Sequence, residues 1–184
     1  DNESWAYWIR AYDPASGELN WQTEWTEQAY GVRSHPSIDS QGNFYLTGQH
    51  QIGEIERRYY LFKYSSEGQL LWTASGTVPG YCMDEMECDA RPPAIGRDDM
   101  VVYTNGNKEL LAYSSGGEEL WRIPLNGVSW AETVIGPDGT IYMVDHSGDM
   151  MAVTSEGSIL WRVNIGIIYI EEGEEILNPA FTSP

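Results

Sequence analysis

Short runs in which apolar and polar residues alternate are separated throughout this chain by turns of Gly, Asp and Ser. No run carries the 3.6-residue period of a helix. One stretch reads Pro36-Ser37-Ile38-Asp39-Ser40-Gln41-Gly42-Asn43-Phe44-Tyr45-Leu46-Thr47. It recurs as Pro93-Ala94-Ile95-Gly96-Arg97-Asp98-Asp99-Met100-Val101-Val102-Tyr103-Thr104, and again as Thr133-Val134-Ile135-Gly136-Pro137-Asp138-Gly139-Thr140-Ile141-Tyr142-Met143-Val144. Each copy predicts a strand, a tight turn and a second strand. A third apolar run follows each one: Tyr60-Leu61-Phe62-Lys63-Tyr64, Leu110-Leu111-Ala112-Tyr113 and Met150-Met151-Ala152-Val153. A turn of the form Ser/Thr-Ser-x-Gly then leads into a phrase in which Gly stands four residues before Trp. The pairs are Gly17 and Trp21, Gly68 and Trp72, Gly117 and Trp121, Gly157 and Trp161, and the tryptophans are spaced by 51, 49 and 40 residues.

Each unit therefore predicts four short strands, A to D. Four-stranded units of this period are the blades of a β-propeller. The expected fold is all-β, a propeller of four-stranded antiparallel blades, with about four blades visible as part of a seven- or eight-bladed ring. The expected division is a partial blade over 1–24, blades over 25–75, 76–124 and 125–164, and the start of a further blade over 165–184, where Asn178-Pro179-Ala180-Phe181 echoes a strand A. The repeat tryptophans, Trp21, Trp72, Trp121 and Trp161, are large enough to fill the wedge between neighbouring blades.

Two family resemblances rest on these phrases. Ala29-Tyr30-Gly31, Ile38 through Gly48, Phe62-Lys63-Tyr64 and Leu71-Trp72 resemble the bacterial and archaeal SBBP propeller repeat. Gly136 through Tyr142, with Gly157 through Trp161, is more similar to the quinoprotein (PQQ-like) propeller repeat. Both imply a β-propeller, and both repeat types occur in enzymes and in scaffolds without catalysis. For a quinoprotein dehydrogenase the resemblance would imply a quinone on the ring axis, between a Trp and a disulfide of adjacent cysteines, with calcium beside it. The cysteines of this chain, Cys82 and Cys88, stand six apart, so PQQ is not expected.

Composition narrows the partners. The 28 acidic against 10 basic residues give a formal charge of −18, which repels nucleic acid and anionic membrane surfaces. Aromatics make up 12% of the chain, so this is not a disordered acidic tail. No apolar stretch reaches the length of a membrane-spanning helix.

In an antiparallel blade the A–B and C–D turns share one face, and the B–C and D–A connections share the other. The first pair is short and uniform, whereas the second varies. The B–C region Gln49 to Glu56 and the D–A connections Gly76 to Arg91 and Gly166 to Asn178 are the long excursions. Variable loops on a rigid scaffold are where binding usually resides. The candidate binding-face residues are His50, Glu54, Tyr81, Trp25, Trp130, His146 and Tyr169. Their aromatics would anchor a partner protein or stack on a glycan, or else cover the blade ends.

The loop from Gly80 to Asp89 holds both cysteines and predicts a local Cys82–Cys88 disulfide; two reduced thiols are the alternative. Its Asp84, Glu85, Glu87 and Asp89 are candidate calcium ligands, set against a solvated acidic loop. No other cofactor is expected. Glu171-Glu172-Gly173-Glu174-Glu175 reads as a solvated charge run or a docking patch for a basic partner. Asp145-His146-Ser147 contains triad residue types without a nucleophile motif and reads as turn chemistry, so no catalytic residue is assigned.

The expectation is a non-enzymatic, extracellular, cell-surface or periplasmic propeller. It would act as a protein-binding or assembly scaffold through its variable face, in a larger assembly or with a separate protein partner. A fragment of a PQQ-dependent dehydrogenase and a glycan-binding propeller are the alternatives.

Overall fold

The computed structural model is all-β and describes residues 7–25, 35–52, 56–79, 91–129, 131–166, 168–171 and 174–177. Three four-stranded antiparallel sheets form its centre. The first blade pairs β3 (Ser37–Ile38), β4 (Phe44–Ile52), β5 (Glu56–Tyr64) and β6 (Leu70–Pro79) in chain order. The second pairs β7 (Ala94–Ile95), β8 (Val101–Asn105), β9 (Glu109–Tyr113) and β10 (Glu119–Pro124). The third pairs β11 (Val134–Ile135), β12 (Ile141–Val144), β13 (Asp149–Val153) and β14 (Ile159–Asn164). A hairpin of β1 (Tyr7–Tyr12) and β2 (Leu19–Trp25) precedes them in the position of strands C and D. A second hairpin, β15 (Ile168–Glu171) with β16 (Glu174–Leu177), follows. The short A strands β3, β7 and β11 lie beside one another, so the blades radiate from that side.

Three expectations about connections change. Gln49 to Glu56 is not a loop: β4 and β5 stay paired as far as Ile52 and Glu56, with Gln49 opposite Tyr59, His50 opposite Arg58 and Gln51 opposite Arg57. Likewise β6 runs on to Pro79 before the D–A connection begins, and Trp25 ends strand β2, opposite Tyr7. The segment after Gly166 contains the β15–β16 pair, with Tyr169 opposite Ile176 and Glu171 opposite Glu174, so Glu171, Glu174 and Glu175 of the acidic run lie in paired strands. The echo at Asn178 to Phe181 lies outside the described residues.

Successive side chains of each strand point into opposite blade interfaces, as the pleat requires. Tyr45, Leu61, Trp72 and Ala74 of the first blade pack on Val101, Tyr103, Leu111, Tyr113 and Ile95 of the second. Val102, Leu110, Ala112, Trp121 and Ile123 of the second pack on Ile141, Met143, Met151, Val153 and Ile135 of the third. The opposite face of the first blade, with Leu46, Phe62, Tyr64 and Phe44, receives Ile9 of β1.

The repeated Trp has one geometry at every junction. In each blade strand D carries a single bulged residue immediately before the Trp. Lys63 is opposite Trp72 while Tyr64 is opposite Leu70, so Leu71 is the extra residue; Asn20, Leu120 and Leu160 take the same place. A bulge re-aims the side chain that follows it, and here it sends the indole toward the next blade. Trp21, Trp72 and Trp121 donate their Nε1–H to the carbonyls of Ser66, Ser115 and Ser155 at 2.9, 3.0 and 2.8 Å. Each indole covers the glycine of that same C–D turn. Gly68, Gly117 and Gly157 have φ of 81°, 89° and 84°, and a Cβ on them would lie 2.6–2.9 Å from the indole. A side chain there would meet both the left-handed backbone penalty and the ring. The fourth repeat Trp, Trp161 in β14 of the third blade, follows the same bulge and is 42% exposed, with no C–D turn over it among the described residues.

A buried ion pair reinforces the first junction. Asp39 and Lys63 side chains, 0% and 7% exposed, approach to 3.1 Å. The Asp39 carboxylate also accepts from the backbone N–H of Gln41 and Asn43 and from Asn43 Nδ2. Lys63 Nζ donates in turn to Ser115 O at 3.1 Å, the carbonyl that Trp72 uses. Burial pushes the Asp39 carboxyl up, but its hydrogen bonds from Asn43, Lys63 and Gln41 outweigh that and hold it below the ordinary carboxylate range.

Two outcomes follow for stability. Trp121→Ala should cost about 3–5 kcal/mol and Trp121→Phe, which keeps most of the ring but loses the donor, about 1–2 kcal/mol, both read from urea midpoints. Because the Asp39 value is depressed on folding, its stabilisation is complete above about pH 4 and is lost as pH falls through the folded value. Unfolding free energies measured across the acid range should therefore fall less steeply below about pH 4 in Asp39→Asn than in the parent, from a lower neutral-pH value.

Candidate binding face

The B–C turns and the D–A connections converge on one end of the blades, opposite the indole-covered C–D turns. The first blade projects furthest there. In β5 the burial alternates, with Arg57 and Tyr59 buried between exposed Glu56 and Arg58. Tyr59 is covered by the B–C turn of the second blade: a Cβ on Gly106 would fall 1.8 Å from Tyr59 Oη. Arg57 Nη1 donates to the same hydroxyl at 2.9 Å. The projecting hairpin therefore leans on its neighbour through Tyr59 and is held as an extension of the sheet.

The other two B–C turns are built by single buried polar side chains. Asn105 Oδ1 accepts from the backbone N–H of Asn107 and Glu109 at 3.0 and 3.2 Å. Asp145 Oδ1 accepts from Ser147 N, Ser147 Oγ and Asp149 N at 2.9, 2.5 and 3.1 Å, and its Oδ2 accepts from Gly127 N at 3.0 Å. That last bond pins the D–A connection between the second and third blades. His146 N adds a bond to Val128 O at 2.7 Å, and Asn126 and Asn164 donate their Nδ2 groups to the two oxygens of Asp149 at 2.5 and 2.8 Å. Near the A strands, Arg91 carries its backbone carbonyl to Thr47 Oγ1 at 3.1 Å and its Nε to Ser129 O at 3.4 Å, so one residue joins elements of all three blades.

The described turns of this face between β8 and β9 and between β12 and β13 are held by their own side-chain hydrogen bonds, with His146, Asn107, Lys108 and Glu132 exposed beside them. The residue types Asp145, His146 and Ser147 do not form a triad: Ser147 Oγ donates to Asp145, and the His146 ring is exposed. Among the described residues no three His, Cys, Asp or Glu side chains cluster as a metal site would require.

Of the residues singled out from sequence, His146 sits on this face. His50 lies on the projecting β4 and Trp25 at the end of β2, while Tyr169 is in β15, and only their backbone placement is described. Cys82, Cys88, Asp84, Glu85, Glu87, Asp89, Tyr81, Glu54 and Trp130 lie outside the described residues. Arg57, Tyr59, Arg91 and Gly106 were not anticipated. The signal for Gly106 was the Asn105-Gly106 pair, a strong hairpin dipeptide; Glu56-Arg57-Arg58-Tyr59-Tyr60 shows no apolar alternation, so the sequence carried no such signal for Arg57 or Tyr59.

The model of the family described as "Outer membrane protein assembly factor BamB" matches residues 6–167. The chain belongs to this family of PQQ-like propeller repeats. Among solved structures it is similar to BamB from Moraxella catarrhalis, with a TM-score of 0.59 and 16% identity, over 90% of this chain and 47% of that one. A fragment of HIRA, residues 644–1017, aligns with a TM-score of 0.48 and 12% identity over 79% of this chain and 46% of that one, too distant to bear on the argument. No curated protein matches the sequence. The chain thus spans less than half the length of the structures it matches. At this identity the likeness to the BamB structure concerns the fold, an all-β propeller of antiparallel blades.

The turn chemistry separates framework from contact residues. Asp145→Ala removes four accepted hydrogen bonds and should cost about 2–4 kcal/mol in urea unfolding. Asn107→Ala, in the turn between β8 and β9 but exposed, should change stability by less than about 0.5 kcal/mol.

Proposed function

We propose that this chain is a non-enzymatic, protein-docking propeller of the cell envelope, periplasmic or surface-exposed, that serves the assembly of other proteins through its B–C/D–A face. Membership of the BamB-like family carries the reading at its coarse level, as a protein-interaction scaffold. The geometry supports the choice of face. The C–D turns of the three four-stranded blades are covered by indoles, whereas the B–C end offers exposed groups on turns held by buried Asn105 and Asp145. A preformed surface loses little entropy on docking. Among the described residues no helix is long and apolar enough to cross a membrane.

Quinone chemistry has no place in this reading, because the adjacent-cysteine pair implied by the dehydrogenase resemblance is missing from the sequence. A Cys82–Cys88 bridge would fit an oxidising compartment, and calcium on Asp84, Glu85, Glu87 and Asp89 would brace the same loop. A glycan would be the ligand only if Trp25, Trp130 and Tyr81 provide a stacking platform.

The partner class to try first, from the family description, is an outer membrane protein, presented unfolded by dilution from urea. Photo-crosslinkers placed at Asn107 and His146 should capture it, and crosslinkers at Gln41 and Pro137, on the A–B turns, should not. Capture only from Gln41 and Pro137 would reverse the assignment of the face, and no capture from any position would remove this partner class. Given the charge of −18, capture of a basic segment should weaken as salt rises.

A further inference from the structure

In every blade strand D is the last strand of its sheet, so one row of its backbone N–H and C=O groups faces away from strand C. An open row of that kind pairs with another chain unless charge, proline, a bulge or shortness blunts it. Three of the four D strands are blunted. β2 carries Glu24, β10 carries Glu119 and Arg122 and ends at Pro124, and β14 carries Arg162. β10 and β14 also stop three residues past the repeat Trp.

Beyond its bulge at Leu71, β6 has none of these devices until Pro79, its last residue. It runs ten residues, Leu70-Leu71-Trp72-Thr73-Ala74-Ser75-Gly76-Thr77-Val78-Pro79, and none is charged. Where Arg122 and Arg162 follow their tryptophans, β6 has Thr73. From Trp72 to Pro79 it stays paired with β5, residue for residue, from Lys63 to Glu56. Thr73, Ser75, Gly76 and Thr77 are exposed, and among the described residues no strand pairs with β6 on its other side. Blades pack on one another through their faces. Ile9 of β1 lies on one face of the first blade and the second blade on the other, so the β6 edge lies outside those interfaces.

We infer that a strand from another protein adds to the first blade along β6, as a fifth strand beside Thr73 to Thr77. The chemistry of the edge identifies the occupant. A row of unpaired backbone groups is matched by an extended backbone with an open row of its own, and the small, uncharged side chains of β6 suit β-branched neighbours across the pair. The formal charge of −18 repels an acidic strand and a second copy of this chain alike, and favours a strand that carries Lys or Arg. The occupant is therefore an extended, basic segment rich in Val and Thr. The site is the outer edge of one blade, not the B–C/D–A turns, and it stands whether or not those turns dock a partner.

The probe is a capped peptide of alternating Val and Thr with Lys at both ends, labelled for fluorescence anisotropy and titrated with the 184-residue chain. It should bind saturably, and the same peptide with Glu at both ends should bind at least about fivefold more weakly at low salt. Hydrogen exchange followed by NMR reads the mode. At saturation alternate amides of β6 between Thr73 and Thr77, those that point away from β5, should exchange at least about tenfold more slowly, while their neighbours, already bonded to β5, should not change. Thr73→Arg with Thr77→Arg gives β6 the charge that blunts β10 and β14, and should weaken the Lys peptide by at least about tenfold with circular dichroism like that of the parent. If that variant misfolds, Ser75→Lys takes its place. No saturable binding, binding without the alternate protection in β6, or a folded variant that binds as tightly as the parent would each overturn the inference. So would a parent that dimerises through β6, seen as a dimer lost in the variant, because the edge would then belong to a second copy.

Discussion

The contact between an indole and a left-handed glycine turn is the constraint on which the array depends. A blade of four short strands has two apolar faces and cannot bury both alone. Trp21, Trp72 and Trp121 fix how far one blade is turned relative to the next, because each makes one directional hydrogen bond and one close ring-to-backbone contact at the same turn. The bulge before each Trp is the device that aims it, and its cost appears on the outside: Leu71, Leu120 and Leu160 are half exposed. The apolar layers of Tyr45, Leu61 and Val101, or of Val102, Met143 and Met151, can then fill the interface without themselves having to specify its angle.

The two ends of the blades divide the work. At one end the C–D turns of the three four-stranded blades receive indoles, and Ser115 O accepts from both Trp72 and Lys63. At the other end, the described turns at Asn105 and Asp145 are held by side chain-to-backbone bonds of their own, so their exposed groups stand on braced backbone. A propeller that recognises proteins needs that separation: stiffness at the scaffold and free chemistry at the surface. The large negative charge then biases which surfaces approach, without contributing to the fold.

Much of this was legible in the residues, for a local reason. Strand alternation, Ser-Ser-x-Gly turns and the fixed Gly-to-Trp offset are properties of neighbouring positions, and they are enough to place β3 to β14 and to identify a propeller. The projecting strands were less legible. Gln49-His50-Gln51 has no apolar alternation, and its pairing with Tyr59, Arg58 and Arg57 depends on the burial of Arg57 and Tyr59 on the facing strand, beside Gly106 of another blade. The β15–β16 hairpin was hidden for a similar reason. Its strands are only four residues long and carry Glu171, Glu174 and Glu175, so composition read as a charged connection.

The sequence by itself determined the repeat, the strand order within each blade, the turn residues and the presence of one Trp per unit, because each of these is set by periodicity and by backbone preferences over a few residues. Only the tertiary structure decided what each Trp meets. Trp121 and Trp161 stand in near-identical phrases, yet one is seated on Gly157 and the other is exposed. Among the described residues a C–D turn lies across the interface from Trp121 and none lies across from Trp161, and no local pattern encodes which surface an indole meets.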